Sequence, residues 1–166
     1  VRIARAGIRL LGAAPQEAEI TFYNSFARTY EGHGSDRAIV AGLLDFHTDD
    51  KRIKTSFDHA TEANLQYTFK SVGNASTLHP NTIRLKLKGD GRMREVVGER
   101  RGGGVINITE VDGFQAGFSA SMHTLIIKAE DQRGKIAFVA SVLANDECNI
   151  ANMSVSRLGK NDMACH

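Results

Sequence analysis

The spacing of apolar residues changes several times along the chain, and each rhythm predicts an element. Val1, Ala4, Ile8 and Leu11 recur at helical spacing, with Arg2, Arg5 and Arg9 on the other face, so residues 1–11 predict an amphipathic helix. Gly12 and Pro15 end it. Ala18, Ile20 and Phe22 then alternate with Glu19, Thr21 and Tyr23, the pattern of a half-buried strand. A second helix is expected over 37–44, with Ser35 or Asp36 as its cap, and a third over 56–64. Leu65, Tyr67 and Phe69 mark one face of a strand over 65–72.

From Thr82 the pattern becomes that of hairpins. Ile83, Leu85 and Leu87 face one way, and Arg84, Lys86 and Lys88 the other. Gly89-Asp90-Gly91 is a strong turn signal, Met93 to Val97 returns, Gly102-Gly103-Gly104 breaks the pattern, and 105–111 resumes it. The Gly-, Ser- and Ala-rich stretch 112–121 reads as a linker. Beyond it, 123–129 predicts a strand, 134–145 a helix with Ile136, Val139, Ala140 and Leu143 on one stripe, and 149–157 a second strand. This β-α-β succession is the first half of a ferredoxin-like β-α-β-β-α-β module that stops at His166, where a third strand would start. Val1 already lies inside a periodic helix, so further sequence is expected upstream.

Composition narrows the classes. The chain has 166 residues, 42% hydrophobic and 24% charged, enough for one ordinary domain with a core, or a domain plus a small module. A net charge of +2 gives no basic bias toward nucleic acid or membrane surfaces. No apolar run approaches the ~20 residues of a membrane span. Cys148 and Cys165 have no C-x-x-C spacing, and His47, His59, His123 and His166 have no metal-ligand spacing, so this chain predicts no metal site of its own. So few cysteines point to a reducing cytoplasm.

The segment from Phe26 to Asp36 stands out chemically. His33 lies between Gly32 and Gly34, with Ser35 and Asp36 following, and apolar residues flank the segment on both sides. Glycines let a ligand or a second chain approach the backbone, and histidine can exchange a proton near neutral pH. The plainer reading is a turn histidine followed by a helix cap. His79-Pro80-Asn81-Thr82 is a second polar corner, or simply a strand entry shaped by proline. The basic residues Arg84, Lys86, Lys88, Arg92, Arg94, Arg100 and Arg101 could gather an anion; with Asp90, Glu95 and Glu99 among them, a solvated hairpin face is the preferred reading.

Taken in order, Tyr23-Asn24-Ser25-Phe26-Ala27, Gly32-His33-Gly34-Ser35-Asp36 with Gly42-Leu43-Leu44, Thr48-Asp49-Asp50-Lys51-Arg52-Ile53, His79-Pro80-Asn81-Thr82, Gly102-Gly103-Gly104 and Asp112-Gly113-Phe114 resemble the beta chain of the iron–sulfur-dependent L-serine dehydratase. The resemblance covers essentially the whole chain. It implies an α+β fold: residues 1–112 form a mixed, largely antiparallel sheet with helices, similar to the allosteric substrate-binding domain of some D-3-phosphoglycerate dehydrogenases. A linker at 113–121 and the N-terminal part of an ACT module at 122–166 follow. Asn149 to Arg157 resembles the second strand of an ACT module, whereas Asp131-Gln132-Arg133-Gly134 has arginine where ACT loops usually carry proline.

The resemblance also implies a chemistry. L-Serine loses water, and the aminoacrylate hydrolyses to pyruvate and ammonia. The [4Fe-4S] cluster, a Lewis acid toward the serine hydroxyl, is ligated by a separate alpha chain and not by this one. The family's Gly-Pro-Ser-Ser-Ser-His-Thr motif would precede residue 1. His33 then becomes a proton carrier or substrate ligand, with Asp36 as its orienting acid or as a helix cap. Gly32, Gly34, Ser35, His79 and Asn81 become groups facing substrate or partner. The expected partners are the alpha chain and L-serine, with pairing of two ACT modules as a route to a homodimer, and the subunit would be inactive alone. The alternative is a regulatory, non-catalytic domain that binds serine or a related small anion.

Overall fold

The computed structural model describes residues 1–74, 77–159 and 162–165. A helix, α1 (Arg2–Leu11), precedes strand β1 (Glu17–Tyr23). Three helices follow, α2 (Asn24–Thr29), α3 (Ser35–Leu43) and α4 (Ser56–Glu62), the last entered through a 3-10 turn at Lys51–Thr55. Five strands come next: β2 (Gln66–Val72), β3 (Thr82–Gly89), β4 (Arg92–Arg100), β5 (Ile106–Val111) and β6 (Phe114–Phe118). They make one six-stranded sheet with β1, in the order β2-β1-β3-β4-β5-β6. Among the described residues of this sheet only β1 and β2 pair in parallel and the other neighbours are antiparallel, a mixed sheet as expected.

The alternating strands place Ile20, Phe22, Ile83, Leu85, Leu87, Val96 and Ile108 in one core under α1. The buried residues of α1 are Ile3, Ala4, Gly7 and Leu11, with Ile8 half-buried and packed against the same core. A Cβ on Gly7 would lie 2.9 Å from Leu87 Cδ1, which is why the helix can sit this close to β3. Helix α3 packs in turn on α1. There a Cβ on Gly42 would stand 2.4 Å from the Val1 carbonyl oxygen and 2.8 Å from Ala4 Cβ. Arg94 Nε and Arg92 Nη1 donate to the Leu10 and Gly12 carbonyls, satisfying groups that the end of α1 leaves open.

The stretch expected as a linker holds a strand instead. Asp112 (φ 49°) and Gly113 (φ 85°) form a two-residue hairpin turn of the kind that Asp-Gly favours, and β6 returns along β5. Ala116 and Phe118 pack against the core, which the small residues around them conceal in the sequence.

The remaining elements are β7 (Ile127–Glu130), α5 (Lys135–Asn145), β8 (Val155–Arg157) and β9 (Asp162–Cys165). Strand β9 lies between β7 and β8, antiparallel to both, so β7 and β8 run the same way with a strand inserted between them. This is the split β-α-β arrangement of ferredoxin-like modules. The predicted stripe of α5 is its half-buried side, while Phe138 and Val142 are exposed. The second strand is shorter than expected, three residues of the predicted nine. His166 lies outside the described residues.

Candidate functional site

The polar motifs converge on one end of the large sheet because of strand register. Tyr23 closes β1, Thr82 opens β3 opposite Glu99 of β4, and Arg100 pairs with Ile106 at the start of β5. The α2 region, the His79 corner and the Gly102–Gly104 turn therefore share that end. Three successive positive φ angles, 86°, 58° and 76° at Gly102, Gly103 and Gly104, are a path that side-chain-bearing residues rarely follow.

The first half of the segment expected as a polar loop is helical. Asn24 starts α2 with its backbone in the left-handed region (φ 54°), where asparagine is among the best-suited side chains. Its Nδ2 donates to the Leu78 carbonyl at 2.8 Å. Ser25 Oγ and the Phe26 amide both donate to the Pro80 carbonyl, at 3.1 and 3.2 Å. The Tyr23–Phe26 motif and the His79–Thr82 motif are thus two sides of one contact. Within the corner, His79 Nδ1 accepts from the Asn81 amide at 3.2 Å, Thr82 Oγ1 donates to the His79 carbonyl at 2.7 Å, and the Asn81 carbonyl accepts from the Arg100 amide. Asn81 and His79 here order a corner.

The loop after α2 is rooted in an aromatic cluster. Tyr30 stacks on Phe22, with Phe26 and Phe69 beside Phe22. Burial, with the hydrogen bond to Glu31 next, holds the Tyr30 phenol above its ordinary pKa. The Gly34 and Ser35 amides donate to the Glu31 and Tyr30 carbonyls, closing the turn. Gly34 (φ 65°) is the residue that caps α3, so neither Ser35 nor Asp36 occupies the cap position. Asp36 lies in the first turn, where a negative charge is favourable, and its Oδ1 accepts from the Arg37 amide at 2.7 Å. His33 is exposed and its ring bonds to Thr29, so the structure does not join His33 to Asp36.

Two grooves lie elsewhere. The larger, about 890 Å³, is at the opposite end of the sheet between Glu17, Glu19, Lys86, Lys88 and Glu95. Its charges pair with one another or with neighbours: Lys88 with Glu17, Lys86 and Arg84 with Glu95, Lys70 with Glu19. That supports the solvated-face reading of the basic hairpin, with Arg101 likewise paired to Glu99. The smaller groove, about 620 Å³, runs between α1 and residues 118–124. Its arginines are engaged, Arg2 with the Gly104 carbonyl, Arg5 and Arg9 with Asp45. Among the described residues no group of three or more His, Cys, Asp or Glu side chains could hold a metal ion, and no helix is long and apolar enough to cross a membrane.

No protein-family model matches the chain. Comparison with curated proteins is decisive. The probable L-serine dehydratase beta chain of Bacillus subtilis (strain 168) is 40% identical over 156 residues, 94% of this chain and 70% of that protein. The L-serine dehydratase beta chain of Peptoniphilus asaccharolyticus is 34% identical over 157 residues, 94% and 71% of the two chains. This chain belongs to the family of L-serine dehydratase beta chains. A weaker similarity, 28% over 132 residues, joins it to 24% of the D-3-phosphoglycerate dehydrogenase of B. subtilis (strain 168).

The structure gives parts to three residues within the quoted segments: Asn24 bonds to Leu78, Tyr30 stacks on Phe22, and the Thr29 carbonyl accepts from His33. The Phe26–Tyr30 spacing, four residues apart on one helical face, was the available signal for the helix.

Proposed function

We propose that the chain is the beta subunit of an enzyme that deaminates L-serine to pyruvate and ammonia, acting with an alpha chain that holds a [4Fe-4S] cluster. Family membership along nearly the whole chain is the observation that carries this reading. Among the described residues no ligand set fits a cluster, and in this reading the alpha chain holds it. This chain's part is to offer the end of its sheet, with His33 exposed on the loop after α2 and the His79–Asn81 corner locked to α2, to the substrate and the alpha chain. His33 is a proton carrier or substrate ligand in this reading; Asp36 supports α3 and bears on His33 only through the loop. The β7–β9 unit is read as part of an ACT module. Its entry loop is internally engaged, Asp131 with Arg157 and Gln132 with Glu130, rather than open to an amino acid.

The test is co-expression with the alpha chain under anaerobic conditions, followed by pyruvate formation from L-serine. Turnover by the pair and not by either chain alone is expected, falling when His33→Ala is introduced. Unchanged turnover in that variant removes His33 from the site. The similarity to a D-3-phosphoglycerate dehydrogenase favours a second reading, a regulatory domain. That reading requires serine to bind the isolated chain in calorimetry with no partner present.

A further inference from the structure

The groove beside α1 is set apart by its charge. Arg2, Arg5 and Arg9 recur three and four residues apart, so they share one side of the helix over about 10 Å. The groove of about 620 Å³ between them and residues 118–124 has, among the described residues, no Asp or Glu in its lining. One carboxylate, that of Asp45 outside the lining, serves both Arg5 and Arg9, at 2.8 and 3.1 Å. Arg2 donates to the Gly104 carbonyl at 3.0 Å, a neutral group that leaves its charge in place. An excess of positive charge therefore runs along the groove. Its lining is apolar as well: Ile106 is buried and Phe118 half-buried, while Val105 and Met122 stand 54% and 65% exposed. The larger groove lacks this character, because its lysines and glutamates neutralise one another.

We propose that this groove seats a segment of the alpha chain that carries carboxylates on one side and apolar side chains on the other. The identity of that partner rests on the dehydratase reading. A guanidinium can fork a carboxylate through two parallel N–H donors, and Arg5 is already held in place by Asp45. Covering Val105 and Met122 removes exposed apolar surface from water. The charged side sets register and encounter rate, and the apolar side supplies the hold. Arg2 bonds to the Gly102–Gly104 turn, so the seat begins at the end of the sheet that carries the His79 corner and the α2 region. A segment lying in it brings the alpha chain to that end.

The affinity of the full chain for the purified alpha chain, measured anaerobically by sedimentation, tests this. Arg2→Glu combined with Arg9→Glu is expected to weaken it by about 100-fold or more and to flatten its fall with rising salt. Lys51→Glu combined with Lys54→Glu changes the net charge equally, at exposed positions outside the groove, and is expected to leave the affinity within about twofold. Val105→Asp combined with Met122→Asp, at exposed apolar positions, is expected to weaken it by about 10-fold or more. A photo-cross-linking side chain at position 122 is expected to attach to an Asp- and Glu-rich stretch of the alpha chain. Wild-type affinity in either groove variant overturns the proposal, as does an equal loss in the lysine control. So does a cross-link to a second copy of this chain, or to an alpha-chain stretch without acidic residues. Chains that do not associate at all remove the dehydratase reading along with the seat. A pair that associates and turns over L-serine, with the groove variants unaffected, removes the seat alone.

Discussion

The ring of Tyr30 lies flat on that of Phe22, with centroids 4.3 Å apart and planes within 11°. Phe22 is fully buried in β1, and Tyr30 is the last large side chain before Gly32, so the stack joins the loop's root to the core. Tyr30→Ala is expected to cost about 1–3 kcal/mol, combining lost apolar burial with lost ring pairing. Tyr30→Phe keeps the stack and loses what the hydroxyl makes, its bonds with Glu31 and Ser71, so it should cost less than Tyr30→Ala. Urea midpoints of the two variants check this; equal midpoints would mean that the stack contributes nothing.

Asn24 combines a strained backbone with a cross-segment bond. Asn24→Ala keeps a Cβ at φ 54° but loses the donation to Leu78 O that holds the residue there. Asn24→Gly loses the bond but suits the angle. Alanine should therefore destabilise by about 1–3 kcal/mol, and glycine by less. Amide hydrogen exchange over 78–82 should accelerate in both, since the corner loses its tie to α2. Unchanged exchange in Asn24→Gly would remove the side chain from the docking.

At Gly42 two effects of opposite sign compete. Alanine is the better helix former by about 1 kcal/mol. Its Cβ, however, would lie 2.4 Å from the Val1 carbonyl oxygen, a backbone atom that moves only if α1 and α3 separate. Overpacking of this kind costs about 1–3 kcal/mol, so a net loss of stability is expected in Gly42→Ala. A rise in melting temperature would show that the helices part without penalty.

Asp45 links the same two helices by charge. Its hydrogen bond from Arg5 at 2.8 Å, with further attraction from Arg5, Arg9 and His47, lowers its pKa below the usual aspartate value. A depressed folded-state pKa stabilises the fold above the unfolded value and ceases to do so as pH falls through the folded one. Stability should therefore drop on the acid side, and Asp45→Asn should remove that part of the drop. The pair is substantially exposed, so the effect is small, about 0.2–1 kcal/mol, and weakens with salt. Urea midpoints of both proteins between pH 6 and pH 2.5 give the comparison; parallel curves would assign the acid limb to other carboxylates.

The strands of the large sheet were legible because alternation reports burial directly, as Ile83, Leu85 and Leu87 do in β3. The Asp90-Gly91 turn was equally plain, whereas the chemically identical Asp112-Gly113 turn was absorbed into a supposed linker by the glycines and serines after it. Gly7 escaped because a residue that packs by lacking a side chain leaves no apolar mark. Helix α2 escaped because it is too short to show a period and depends on the Pro80 carbonyl and the Phe22 ring, neither local. The candidate histidine stands out through its glycine neighbours. Its companion does not: Asp36 is three residues away in sequence, yet its carboxylate turns to the Arg37 amide, and the ring's bond is to a helix-end carbonyl that carries no sequence signature.

Strands β1 and β2 are adjacent and parallel, yet everything from Asn24 to Leu65 intervenes between them. Strands β3 to β6 are instead joined by hairpin turns. Closing a long intervening segment costs more chain entropy than closing a hairpin, so the meander is expected to organise early and the β1–β2 pairing late. The crossover between them carries α2, His33 and the loop around it. Substitutions in β3 and β4 should then slow refolding, while those at Phe69 or Tyr30 should mainly speed unfolding. The loop would acquire its shape only in the final stage of folding, so partly folded forms of the chain would have a sheet but no formed His33 loop.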